Sequence, residues 1–189
     1  FKQKTAYEIP KRDWSSDVCS SDLSRLRAGT GLTRRELLRL ALMSSENRAA
    51  AALGRTYPGG NESFIAAMNR KAFELGMANT QFVDATGLSS GNVSTAEDLA
   101  RMVKAAYDYP LIREFTTTSA HEVATAAGRS LQYRNSNGLV RNSTWEIGLS
   151  KTGYISEAGR CLVMQAKIAA RPVIIVLLDS WGKNTRIEI

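Results

Sequence analysis

Histidine is almost missing from this sequence. His121 is its single copy, so chemistry built on imidazole has one candidate, and in TTTSAHEVATA it is read as an ordinary strand or surface residue. Cysteine is nearly as scarce. Cys19 and Cys161 cannot make a disulfide framework or a metal cluster, and no cofactor or metal is expected. Cys161, between Arg160 and Leu162 in an alternating apolar run, is expected to be a buried strand residue. Aromatic residues are 7% of the chain, and no Lys/Arg block is interleaved with them, so no nucleic-acid partner is expected. No run reaches the roughly 18 to 20 apolar residues of a membrane span. No charged stretch followed by an apolar one marks a signal peptide.

What is present suits one folded domain. The 189 residues are 43% hydrophobic and 23% charged, in the range of a soluble globular protein with a real core. The net charge is +7. In residues 1–23, Lys2, Lys4, Lys11 and Arg12 balance Glu8, Asp13, Asp17 and Asp22, so the excess falls entirely on residues 24–189. Such a surface suits polyanionic partners, acidic cell-wall polymers among them, and equally an ordinary basic surface.

Order begins at residue 24. Thr33-Arg34-Arg35-Glu36 has the pattern of a capping box ahead of a strongly apolar helix. The alanine-rich RAAAALG forms a second helix, and Ser44-Ser45-Glu46-Asn47 between them predicts a break deep in the core. Asn61 is the expected cap of a third helix ending at Gly76. Residues 82–91 read as a loop, and Ser94-Thr95-Ala96-Glu97 as a second capping box for a helix that stops before Pro110. The β-branched stretch 116–125 and residues 130–134 read as strands. Residues 145–149, 160–168 and 172–178 follow, the last apolar enough for a central strand buried on both faces. Helices first and strands last predict an α+β fold, a helical cluster packed on an antiparallel sheet.

Two tripeptides carry chemistry. Ser45-Glu46-Asn47 places polar groups among apolar helices, where they must be hydrogen-bonded or face a cleft. Lys151-Thr152-Gly153, expected to open a strand, places a cation and a hydroxyl beside accessible backbone. Alone, each is as readily a cap or a turn. Together they are two of the three elements of the penicilloyl-serine transferases, Ser-x-x-Lys, Ser-x-Asn and Lys-Thr-Gly. The flanks LLRLALMSSENRAAAAL, FIAAMNRKAFELGM, FVDATGLSSGNVSTAEDLARM, YRNSNGLV and SKTGYISEAGRCLVM resemble the D-alanyl-D-alanine peptidases, low-molecular-mass penicillin-binding proteins, in style and order. The Ser-Glu-Asn form resembles the endopeptidase branch of that family.

The resemblance implies a β-lactamase/transpeptidase-like fold and a periplasmic peptidase acting on peptidoglycan stem peptides, which β-lactams would label. In the family, the serine of Ser-x-x-Lys attacks the D-alanyl carbonyl, its lysine takes the proton, and water releases the acyl-enzyme. By resemblance Ser45 relays a proton toward the leaving amine, and Asn47 holds the acyl-side amide and the catalytic lysine. Lys151 supplies positive potential, Thr152 bonds the substrate terminus, Gly153 allows close approach, and the N–H of Tyr154 is an oxyanion donor. Asn135 and Asn137 are expected to brace the loop beside the Lys-Thr-Gly strand.

The sequence departs from that pattern at its beginning. No Ser-x-x-Lys lies upstream of Ser45. FKQKTAYEI and DWSSDVCSSDL resemble translated sequencing adapter, so residues 1–23 are expected to be a disordered artefactual leader. Residues 24–189 are then expected to be a partial domain, cut or diverged after Trp181-Gly182-Lys183, catalytically inactive and marginally stable as written. Two other readings are a class A β-lactamase-like hydrolase and a non-catalytic peptidoglycan-binding protein. Oligomeric state is not legible.

Overall fold

The computed structural model describes residues 7–8, 24–27, 29–125 and 128–181. β1 (Tyr7–Glu8) and β2 (Gly31–Leu32) form a short antiparallel pair. The rest of the expected leader, and the expected divergence beyond residue 181, lie outside the described residues.

Helix α1 (Arg34–Ser44) begins as its sequence dictates. The Thr33 hydroxyl accepts from the Glu36 N–H at 3.2 Å, and the Glu36 carboxylate accepts from the Thr33 N–H at 3.1 Å. Leu37, Leu40 and Met43, three residues apart, line one face and are fully buried. Each such side chain contributes about 1.5–3 kcal/mol relative to exposure. They share a core with Leu26, Leu32, Ala49 and Ala52, and with Val123 and Tyr133 of the hairpin β3 (Ala120–Ala124) and β4 (Ser130–Arg134). The chain breaks after α1, as expected, and resumes as α2 (Asn47–Arg55).

Two caps differ from expectation. α3 (Gly60–Glu74) has Gly59 as its N-cap in the left-handed region, φ 86°, so Asn61 already lies inside the first turn. α4 (Ala96–Tyr107) is capped by Thr95, whose hydroxyl accepts from Asp98 N–H. The Ser94–Glu97 box therefore does not form, because Ser94 instead hydrogen-bonds Thr80 at 2.7 Å.

Residues 116–125 are not one strand. α5 (Pro110–Thr117) fills the first part, with Pro110 in the first turn, where no N–H is needed. Thr117 donates back to Arg113 O and Thr118 to Glu114 O, both at 2.7 Å. Threonine hydroxyls thus satisfy the helix-end carbonyls, overriding the β-propensity of the threonine run.

The main sheet has the antiparallel order β5 (Glu146–Ile155), β6 (Gly159–Ile168), β7 (Arg171–Ser180). Lys151-Thr152-Gly153 lies in the middle of β5 rather than at its start, because pairing with β6 runs unbroken from Leu149 to Ile155. Helix α5 packs on β5, and α4 on β6 and β7. Leu139, Leu162, Met164 and Ala166 form a second core under the sheet. β7 is not a central strand. Among the described residues it pairs only with β6, and none of its side chains is fully buried. Cys161 is half-buried rather than buried, opposite Gly153.

Candidate active site

Ser45 ends α1 in the left-handed region, φ 57°. A serine there costs roughly a kcal/mol of backbone strain, which persists only where surroundings over-determine it. The surroundings are visible. The next residue, Glu46, is buried and serves as the N-cap of α2, its carboxylate accepting from Arg48 N–H at 3.3 Å. The same carboxylate accepts from Arg25 N–H at 3.3 Å and from the Ser24 hydroxyl. Burial pushes the Glu46 carboxyl above its ordinary value despite these bonds. Glu46 thus ties residues 24–25 to the turn that presents Ser45.

From the sheet side, Lys151 reaches the same turn. Its ammonium donates to the Ser45 hydroxyl, and to the carbonyl of Thr152 at 2.6 Å. Burial pushes Lys151 down to about 8. Thr152 makes no hydrogen bond to Ser45 among the described residues. Its hydroxyl donates to Ser136 at 2.7 Å, and the Ser45 hydroxyl donates to the same oxygen at 3.3 Å. The two motifs therefore meet twice, once directly and once through Ser136.

Ser136 was not legible as a site residue, and its neighbours explain how it is held. Asn135 and Asn137 are buried. The Asn135 amide donates to Thr116 O at 2.9 Å and Thr118 O at 2.8 Å, and its carbonyl oxygen accepts from Asn137 N–H at 2.9 Å. Asn137 in turn accepts from Leu139 N–H at 3.1 Å, opening a 3-10 turn at Gly138–Arg141. The backbone N–H of Ser136 donates to Met43 O at 2.9 Å, at the end of α1. Two buried amides thus fix an exposed serine between them. Only the Asn-Ser-Asn alternation hinted at it, since its partners lie far away in sequence.

Other expected residues are less engaged. Asn47 is the first residue of α2, and no side-chain hydrogen bond joins it to another described residue. At Gly153 an added Cβ would lie 3.7 Å from the Cys161 Cβ, an ordinary contact, so packing within the chain does not demand glycine. Tyr154 is 64% exposed, with the Arg160 guanidinium 5.2 Å over its ring. His121 lies in β3 opposite Tyr133 and joins no hydrogen bond of this cluster. Among the described residues no group of three metal-ligating side chains occurs, and no helix is long and apolar enough to cross a membrane. Chemically, the cluster is an ammonium feeding a chain of hydroxyls, able to bind an anion and pass a proton.

Comparison with known proteins gives this arrangement a lineage. A family model described as D-alanyl-D-alanine carboxypeptidase matches residues 1–182. The D-alanyl-D-alanine endopeptidase of Pseudomonas aeruginosa is 52% identical over 163 residues, 86% of this chain and 53% of its own length. That of Escherichia coli is 50% identical over 164 residues, with the same two shares. The chain spans about half the length of these curated relatives. The crystal structure of a Streptomyces DD-transpeptidase has the same fold, with a TM-score of 0.84 at 30% identity, covering 96% of this chain and 74% of that one. The α+β, transpeptidase-like architecture and the matched sequence agree: this chain belongs to the D-alanyl-D-alanine carboxypeptidase family.

Proposed function

We propose that this protein is a serine-type D-alanyl-D-alanine peptidase of the endopeptidase kind. A form that carries Ser-x-x-Lys acts in the periplasm on peptidoglycan stem peptides through an acyl-enzyme, and β-lactams acylate that form. The observation that carries this reading is the hydrogen bond from the Lys151 ammonium to the Ser45 hydroxyl, which joins the two motifs. The endopeptidase names of the two relatives above 50% or at it support the finer choice.

In this reading Lys151 gives positive potential to the cleft. An ammonium pushed down to about 8 can also lend and recover a proton near neutral pH. Ser45 passes a proton from that ammonium toward the leaving amine, and Asn47 steadies the acyl-side amide. Thr152 and Gly153 form the wall along which the peptide lies, and the Tyr154 N–H faces the developing oxyanion. Residues 24–189 make up the peptidase domain of this reading, and residues 1–23 take no part in it. The attacking serine belongs to a Ser-x-x-Lys that this sequence does not carry upstream of Ser45.

Fluorescent penicillin tests the proposal. A form of the protein carrying Ser-x-x-Lys ahead of residue 24 is expected to be labelled covalently, and the 189 residues alone are not. No label on the extended form defeats the peptidase reading and favours a wall-binding one.

A further inference from the structure

We propose that Arg160, stacked over the Tyr154 ring, reads a side-chain carboxylate on the acyl side of the substrate, on the residue that precedes the scissile D-alanine. This rests on the peptidase reading above.

The first observation is a cation without an acceptor. Arg25, Arg35, Arg39 and Arg113 also stack on aromatic rings, and each has a second tie. Arg35 and Arg39 pair with Glu114, Arg25 donates to Gln132 O, and Arg113 donates to Tyr107 O. The Arg160 guanidinium lies 5.2 Å over the Tyr154 ring, and among the described residues no carboxylate or carbonyl accepts from it. Two acidic groups border the same hairpin, and neither takes it. The Glu157 carboxylate accepts from the Ser156 hydroxyl at 2.8 Å, and Asp179 lies against Gly159. Stacking on a ring leaves the planar donor fork of a guanidinium open to a carboxylate.

The second observation is where that fork sits. Tyr154 and Arg160 are paired residues of β5 and β6, so their side chains rise from one face of the sheet. β6 lies on one side of β5, and among the described residues no strand lies on the other. In stacking on Tyr154, the guanidinium leaves β6 and leans over β5 toward that free edge. A peptide added there would lie about 4.8 Å from β5. In the peptidase reading its C-terminus lies at Thr152 and its scissile carbonyl at the Tyr154 N–H. The acyl side then continues past Tyr154 toward the β5–β6 turn, where Ile155 pairs with Gly159. The residue before the scissile D-alanine therefore passes beside the Tyr154 ring, which is 64% exposed. A long side chain ending in a carboxylate meets the ring first and the guanidinium after it.

This anion position is separate from the Lys151 cluster. Lys151 and Tyr154 are three residues apart on β5, about 10 Å along a strand. No hydrogen bond joins Arg160 to Ser45, Ser136 or Thr152 among the described residues.

The full 189-residue chain is sufficient for the test, because binding needs no nucleophile. The probes are N-acetyl-L-2-aminopimelyl-D-alanyl-D-alanine, whose first residue carries the side-chain carboxylate, and its side-chain amide, each titrated by NMR chemical shift. The wild type is expected to bind the carboxylate about fivefold more tightly, the upper scale of a partly exposed ion pair. Salt at about 0.5 M should remove most of that preference. Arg160→Gln should bring the two affinities within about 1.5-fold of each other. Arg160→Lys, which keeps the charge without the fork, should hold a preference of about threefold. A purely structural role for Arg160 would weaken both peptides alike and leave their ratio in place. A wild type that binds both equally would overturn the assignment, as would a preference that survives in Arg160→Gln or in salt. An Arg160→Lys variant that loses the preference entirely would overturn the role of the charge. Binding of neither peptide, together with no penicillin label on the extended form, removes the peptidase reading and this inference with it. Binding of neither with a label present removes this inference alone.

Discussion

Lys151 and Ser45 stand 106 residues apart in sequence, and the ammonium of one donates to the hydroxyl of the other. That bond crosses the seam between helical cluster and sheet. It brings a charge to a hydroxyl that α1 holds in a left-handed turn.

The first concerns chemistry. In the form extended to carry Ser-x-x-Lys, Ser45→Ala and Lys151→Ala should each slow penicillin acylation by about a hundredfold or more, the usual scale for a proton-transfer group. Stopped-flow labelling measures it. A variant acylated at the wild-type rate would remove that residue from the mechanism.

A second follows from the depressed Lys151 value. The folded chain holds its proton only below about 8, whereas the unfolded chain holds it to about the ordinary 10.5. Between those values the unfolded state binds more protons, so stability rises with pH across that window. Below it the buried ammonium is a full cost. Lys151→Met should therefore be more stable than wild type at pH 7, and the gap should narrow toward pH 10.5. Melts over this range, with an NMR titration of the lysine side chain, test it. A titration midpoint near 10.5 would refute it.

Glu46 has the opposite sense for a carboxylate. Burial raises its folded value above the ordinary 4.5, outweighing bonds from Ser24, Arg25 and Arg48. Its contribution is fully present below the unfolded value and is lost as pH rises through the folded one. Glu46→Gln should flatten that dependence. Glu46→Ala should cost about 2 kcal/mol in chemical denaturation, because the partly buried donors of Ser24, Arg25 and Arg48 lose their acceptor. A loss under 0.5 kcal/mol, well below about one unmade hydrogen bond, would show that the tie is not structural.

The loop before α4 depends on one carboxylate. Burial would raise Asp84, but donations from Thr86, Ser89 and Gly87 outweigh it and hold the group below its ordinary value. Ser89 N–H lies 2.7 Å and Gly87 N–H 2.9 Å from its oxygens. This stabilisation is present above pH 3.8 and is lost as pH falls through the folded value. Asp84→Ala should cost about 2 kcal/mol near neutral pH, and the difference from wild type should shrink in acid. Equal melts at pH 7 would count against it.

Local signals were legible wherever one residue's chemistry decided the outcome. Thr33 and Glu36 announce the start of α1, and the serines after Met43 announce its end. The hairpin and sheet strands follow from β-branched and alternating runs. Misreadings arose where neighbours outvoted propensity. Thr116 and Thr117 look like strand residues, yet Pro110 starts a helix and back-bonding hydroxyls complete it. The apolar run of β7 looks central, yet among the described residues it pairs only with β6 and its side chains are at most half-buried. Ser94 looks like a cap, yet Thr80 takes its hydroxyl.

By itself the sequence determined the α+β class, helices ahead of the main sheet, and both motif tripeptides, because these rest on periodicity, capping chemistry and short fixed spacings; the family was read from the resemblance of the segments around those tripeptides. Only the tertiary structure decided that Lys151 reaches Ser45, that Glu46 ties the turn, and that Ser136 stands between Ser45 and Thr152. Those contacts join residues 16, 91 and 106 positions apart, and a carboxylate to chain 21 residues before it. No spacing rule reaches that far. A hydrogen bond across a fold depends on where packing leaves two side chains, and that is settled only when helices and sheet have met.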